Sequence, residues 1–377
     1  MWKMKGTKES WMWRWAVAVG VVALCWGALR LSCCEEPLDG WASLQTLYEF
    51  RAPVPFGKRL LTVWMAHGLT WAGLSVTRAF EWVEILGAAA LAEGLRRVFL
   101  PYLGRRKSCL AGLCVFGVLP TAYLLRSTLT LFVPWDIWAM ALTAWGIHFL
   151  LERRWGWAAG TMVLASFNRE SAVLLPMLCA AMHAGRRPWW RVAAATGGLA
   201  AIYGVCQWIA GLTLKDNGVV FHRLFLGMSW VGEEWEGAPY RLLRNWEWLG
   251  GSWERCFCVL GAMGGLPLWF AGVAGRLPGS LRRFGLAALA YLAMLAVVGN
   301  VDEVRIYGET MVVLFVPTVL GICDAMGGKE WVGDWGQDGG EAGERGKWMA
   351  WAEGACAAGI VAGLAVLGWC LSKGWGP

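Results

Sequence analysis

The chain has 377 residues, 57% of them apolar and only 16% charged, with 29 Trp, 50 Gly and a formal net charge of +7. Such a chain cannot hide its apolar side chains in one water-soluble core, and they come in blocks of about 18 or more, enough to cross a hydrocarbon layer about 30 Å thick as helix. The positive charge does not indicate nucleic acid, because Arg105-Arg106-Lys107, Arg153-Arg154, Arg186-Arg187 and Arg282-Arg283 are short clusters between apolar blocks and read as topology signals.

The first apolar segment, Trp15 to Leu29, follows Lys3, Lys5, Lys8 and Arg14 as a signal peptide would. Cys33-Cys34-Glu35-Glu36 makes a poor small-residue cleavage site, so the segment is read as a retained span near 11–31. With the basic amino terminus in the cytoplasm, 32–79 becomes an external loop. Within it, 60–76 is apolar but carries Trp64, His67 and Trp71 at near-helical spacing, which predicts an amphipathic helix at the outer interface. Spans near 80–98, 108–125 and 131–151 then return Arg105-Arg106-Lys107 and Glu152-Arg153-Arg154 to the inside, as the positive-inside rule requires.

The stretch 156–183 lies between two basic clusters and must make an even number of crossings, yet two full spans need about 40 residues. Two short helices, 156–167 and 171–183, are therefore expected to meet at Asn168-Arg169-Glu170, with that tip sunk in a cavity. A span at 190–213 leads to an external, partly helical loop at 214–254, followed by spans at 256–275, 284–299 and 309–325. Residues 1–326 form the transmembrane core, 327–348 a Gly-rich cytoplasmic linker, and 349–377 a last helix spanning 349–371. The predicted fold class is an all-α polytopic transmembrane bundle of about nine to eleven spans.

Polar groups fall on the external side by this count: Glu35, Glu36 and Asp39, Arg51, Asp136, Asn168-Arg169-Glu170, and Asp302, Glu303 and Arg305. Charges within spans are costly and should face a cavity or one another. A loop carboxylate in a partly dry cleft suits a general base, although Glu35, Glu36 and Asp39 are equally read as solvated charges. Arg51 or Arg169 could clamp a phosphate bidentately; alternatively Arg169 pairs with Glu170 or Asp136 to hold a helix tip, and Glu303 with Arg305 within their loop. His67, His148, His183 and His222 are too dispersed for a metal site, and the twelve cysteines include no CxxC pair. The tryptophans mark interfaces, and could also line a sugar site.

Four segments carry a resemblance: Arg51 in FRAPVPFGKRLL, Asp136 in VPWDIWAMAL, Asn168-Arg169-Glu170 in ASFNRESAVLLPM, and Glu303-x-Arg305 in NVDEVRIYGETMVVLFVP. In that order they resemble a group of bacterial multispan proteins related to the GT-C glycosyltransferases, over about residues 30 to 325. The resemblance implies a GT-C-like helical bundle in the bacterial cytoplasmic membrane. It also implies that a sugar moves from a polyprenyl-phosphate donor to an acceptor on the outer face. The residues call for no cofactor and indicate no metal, and leave a divalent metal open. Asp39 or Glu36 would be the catalytic acid of the first external loop, although the adjacent Asp-Asp of such loops is here Glu35-Glu36 and Glu36-x-x-Asp39. Arg51, Asp136, Asn168, Arg169, Glu170, Glu303 and Arg305 are the substrate- and phosphate-binding candidates. Two other readings fit the same charges: a flippase for a lipid-linked sugar, and a scaffold whose buried charges pin helices together.

Overall fold

The computed structural model describes residues 7–33, 43–53, 56–124, 133–184, 188–214, 221–224, 227–230, 240–298 and 304–327. The predicted catalytic acids Glu36 and Asp39, the loop acid Glu303, most of the linker and the span at 349–371 lie outside them. The described chain is almost entirely helical. Three helices are long and apolar enough to cross a membrane: α1 (Thr7–Cys33), α8 (Trp189–Thr213) and α13 (Gly308–Gly327).

The intervening helices are α2 (Leu44–Tyr48), α3 (Leu60–Trp71), α4 (Val76–Leu124), α5 (Trp135–Leu151), α6 (Trp155–Asn168) and α7 (Leu174–His183). After α8 come α9 (Tyr240–Gly250), α10 (Trp253–Ala262), α11 (Leu266–Val273) and α12 (Gly279–Val298). Within the predicted external loop 214–254, strands β1 (Phe221–Leu224) and β2 (Gly227–Trp230) pair antiparallel, with Phe221 opposite Trp230.

The long α4 is two antiparallel limbs. At Gly104 the backbone takes φ 66°, which glycine adopts without the Cβ penalty other residues meet, and the chain folds back on itself. A Cβ at Gly112 in the second limb would lie 3.0 Å from the Ala92 carbonyl oxygen and the Arg96 backbone nitrogen in the first. The turn sits beside Arg105-Arg106-Lys107, between the segments predicted as the spans 80–98 and 108–125. Gly112→Val is expected to cost about 1–3 kcal/mol by overpacking, seen as a lower melting temperature. Gly117→Val, whose Cβ would meet nothing within 4 Å, should leave the melting temperature unchanged.

Indole N–H groups tie the neighbouring helices. Trp138 and Trp145 of α5 donate to the carbonyl oxygens of Val83 (2.8 Å) and Ala90 (3.0 Å), so α5 runs parallel to the first limb of α4. Trp15 and Trp26 of α1 donate to Glu93 (2.9 Å) and Glu84 (2.8 Å), so α1 runs antiparallel to that limb. Four of the tryptophans expected to mark interfaces therefore cross-link helices.

The stretch 156–183 forms the expected pair of short helices, α6 of 14 residues and α7 of 10, about 21 and 15 Å long. Arg169 between them is extended (φ −163°, ψ 151°), and Glu170–Val173 makes one 3₁₀ turn. The end carrying this turn is called the tip end and the opposite one the base end. The rings of Trp155 and His183, 5.5 Å apart, close the base of the pair. The predicted single span at 256–275 is instead α10 and α11, broken at Gly264 and Gly265, both left-handed (φ 60° and 65°). A two-residue left-handed turn cannot continue an α-helix, and the apolarity of the segment conceals it.

The helix α3 has 12 residues, about 18 Å, too short for a span. It buries Leu60, Leu61, Val63 and Ala66, leaves Trp71 90% exposed, and sets the Trp64 ring 5.3 Å from Phe167 of α6. One large apolar core joins both limbs of α4 to α5, α6, α7, α11, α12 and α13. Little of α8 is buried, and Trp189, Trp190, Val205, Trp208, Ile209 and Leu212 face outward along it. A helix apolar on its exposed side suits a hydrocarbon surround.

Candidate functional site at the tip end

Asp136 opens α5, where its carboxylate also suits the positive end of the helix dipole, and it is 2% exposed. Arg169, at the α6–α7 tip, places Nη1 3.0 Å from Asp136 Oδ1 and 3.7 Å from Oε1 of Glu309, the second residue of α13. Glu309 is also 2% exposed, and it accepts a hydrogen bond from the Ser171 hydroxyl in the 3₁₀ turn. Next to them Asn168, fully buried, donates from Nδ2 to the Trp135 carbonyl oxygen at 2.9 Å. A single guanidinium thus serves two carboxylates and joins three parts of the chain that are far apart in sequence.

The first loop reaches the same place. The Arg59 guanidinium lies 4.4 Å from the centre of the Trp135 ring and 4.9 Å from that of Phe56. An arginine stacked on an aromatic face keeps its N–H groups directed in its own plane. Trp135 Nε1, Asn168 Oδ1 and Glu309 Oε2 are buried and exchange no hydrogen bond among the described residues, so the centre has capacity left for water or a polar ligand. Segments from FGKRLL, VPWDIWAM, ASFNRESAV and IYGETM all meet here.

No family model matches this chain, and no curated protein or solved structure matches it either.

The sequence candidates divide in three. Asp136, Asn168 and Arg169 come together, and Arg169 pairs with Asp136, one of its two expected partners. Glu170 lies beside them, its backbone carbonyl accepting from the Tyr203 hydroxyl at 3.0 Å. Arg51 is elsewhere: its side chain is 76% exposed and pairs with Glu49 at 3.2 Å, just beyond α2. Of Arg305 only the backbone is described, in the 3₁₀ turn Val304–Tyr307, while Glu36, Asp39 and Glu303 lie outside the described residues. Among the described residues no group of three or more His, Cys, Asp or Glu could hold a metal.

Glu309, Ser171 and Arg59 were not among the candidates. The signal for Glu309 was available, because it stands at the head of an apolar run where a lone acid requires a partner. The same is true of a second buried pair at the tip end, Arg30 of α1 and Glu84 of α4, 3.4 Å apart and 3% and 2% exposed.

Chemically, the centre anchors more than it clamps. A guanidinium already facing two carboxylates has little positive field to offer a phosphate, so Arg169 acts as a positioning residue for the hairpin tip. A substrate anion would instead draw on arginines outside this pairing.

Proposed function

We propose that this protein is a GT-C-like membrane glycosyltransferase that uses a polyprenyl-phosphate sugar as donor and works at the tip end of the bundle, facing the outer side of the membrane. The observation that supports the reading is that Asp136 and Asn168-Arg169, from two of the four resembling segments, meet in one buried polar centre, joined there by Arg59 and Glu309 from the other two. The outward assignment is supported by charge. Arg105-Arg106-Lys107, Arg153-Arg154 and Arg282-Arg283 all adjoin the base end, and basic clusters favour the cytoplasm.

In the proposed reaction the carboxylate of Asp39 or Glu36 takes the proton of an acceptor hydroxyl as its oxygen bonds to the anomeric carbon. The bond from that carbon to the phosphate oxygen breaks, and the lipid phosphate leaves with the electron pair. A single in-line displacement inverts the configuration. Arg305 is the cation proposed to offset the charge of the leaving phosphate, with Arg169 holding the floor of the site; Arg51, exposed and paired with Glu49 away from the buried centre, would have to leave that pair to contribute.

A second reading is favoured by the same centre. Arg169 and Arg30 each face a buried carboxylate, which is what a non-catalytic scaffold needs in order to pin its helices. Incubating the purified protein in lipid with a panel of polyprenyl-phosphate sugars separates the two. The transferase consumes at least one donor, and the Glu36→Gln/Asp39→Asn double variant slows that by about 10²–10⁴-fold, the usual contribution of a general base. If no donor is consumed the scaffold reading stands, and an unimpaired double variant removes both acids from the mechanism.

A further inference from the structure

Of the three long apolar helices, α8 has the least cover. It is held to α6 and α7 along one edge, where Leu199, Cys206 and Ala210 are buried and where Tyr203 and Gln207 donate to the carbonyl oxygens of Glu170 and Ser166. On the opposite side Ala194, Gly197, Ala201, Gly204 and Trp208 recur at intervals of three and four, and all are exposed. That spacing makes them one stripe of the helix. Added β-carbons at Gly197 and Gly204 would meet nothing within 4 Å, although a glycine inside a helix costs about 0.5–1 kcal/mol against alanine. Contact with lipid chains does not offset that cost. A second helix does, because small residues let two backbones approach.

Charge selects the helix. Arg191, in the first turn of α8 at the base end, is the one charge of that helix; it is exposed, lies 5.3 Å from the centre of the Trp190 ring, and makes no ion pair among the described residues. A second copy of the chain, embedded in the same orientation, would bring Arg191 against Arg191 at one depth, which opposes pairing through this face. The apolar segment 349–371, outside the described residues, also has a single charge, Glu353, of the opposite sign. Chain geometry delivers it to the same depth. Because α13 runs from Glu309 at the tip end to Gly327 at the base end, 349–371 starts from the base end as α8 does, with Glu353 its fifth residue and Arg191 the third of α8. The way from α13 to α8 crosses α12 and α7, about 25–30 Å at the usual spacing of packed helices. A Gly-rich linker of about 20 residues has a mean reach of about 25 Å and extends further. Setting Arg191 beside Glu353 also sets Gly197 beside Gly359 and Ala201 beside Gly363, so small residues meet from both sides.

We propose that residues 349–371 lie as a helix along the outward stripe of α8 and parallel to it, with Glu353 paired to Arg191 and the small residues of the two helices in contact. This docking does not depend on the chemistry proposed at the Asp136–Arg169–Glu309 centre.

The test uses the full chain with a protease site placed in the linker between Gly339 and Gly340 and an affinity tag at the amino terminus. After purification in mild detergent and cleavage, the fragment bearing 349–377 is expected to stay with the tagged bundle. Arg191→Glu should release at least half of it, Glu353→Arg should do the same, and the two changes together should restore retention. Gly204→Leu, where an added Cβ meets nothing within 4 Å, should release the fragment while leaving the fold and the oligomeric state unchanged. Release of the fragment from the parent overturns the proposal, as do single variants that retain it like the parent or a double variant that does not restore it. So does a change of oligomeric state in Gly204→Leu with the fragment still bound, which would give the face to a second copy.

Discussion

Arg169→Ala is expected to lower the stability of the protein by about 3–5 kcal/mol, the usual consequence of removing one partner from a buried ionic group. The loss comes from what remains. Asp136 and Glu309, each 2% exposed, would face one another across the hairpin tip with no cation between them. Ser171 and Asn168 would still hold the tip to α13 and α5, but one hydroxyl donated to Glu309 and one amide bond to a backbone carbonyl do not offset two desolvated charges. Melting in lipid nanodiscs checks the value. Adding Asp136→Asn to Arg169→Ala should recover part of the loss, because one of the two stranded charges disappears. Arg51→Ala gives the contrast: its exposed pair with Glu49 is worth no more than about 0–1 kcal/mol, so the melting temperature should barely move.

Glu84→Ala is the second large effect, again about 3–5 kcal/mol. This carboxylate receives the Trp26 indole N–H at 2.8 Å and faces Arg30 at 3.4 Å, so its removal withdraws the acceptor from one and the counter-charge from the other. The helix α1 packs on α4 through these contacts and through Trp15 with Glu93, and the variant should loosen that face first. Proteolysis of the α1–α2 connection, compared before and after substitution, locates the loosening. The double change Arg30→Met/Glu84→Leu should be far milder than Glu84→Ala, since apolar residues of similar volume can replace a buried ion pair at little cost or with a gain. If the double variant is as damaged as the single one, the pair does more than neutralise itself.

Much of the architecture was legible because apolar blocks and basic clusters obey simple limits. The helix predicted at 190–213 is Trp189–Thr213, that at 309–325 is Gly308–Gly327, and the arithmetic that left too few residues for two spans correctly required a broken pair at 156–183. The misses have physical causes. Block averages smooth over single residues, so the break at Gly264 and Gly265 was taken as part of one span. Positions of Glu84, Arg30 and Glu309 were likewise absorbed into apolar segments, although a charge there has to find a partner. Pairing across a distance is not written in local pattern: Arg169 meets Asp136 33 residues upstream. Nothing in the spacing says that this contact uses the guanidinium for holding the tip instead of for a phosphate. The ribbon at 221–230 was missed because a mixed-charge loop with scattered Trp offers no period-2 run long enough to announce a strand.

The account depends most on which side of the membrane the Asp136–Arg169–Glu309 end occupies. A protease-recognition sequence inserted at the exposed Gly73 turn, on the tip side of α4, can be compared with the same insertion beside Arg106 at the base end, in right-side-out vesicles treated with external protease. The account predicts cleavage at Gly73 in intact vesicles, and cleavage beside Arg106 only after the membrane is opened. Cleavage beside Arg106 from outside, with Gly73 protected, would place the polar centre in the cytoplasm and contradict it.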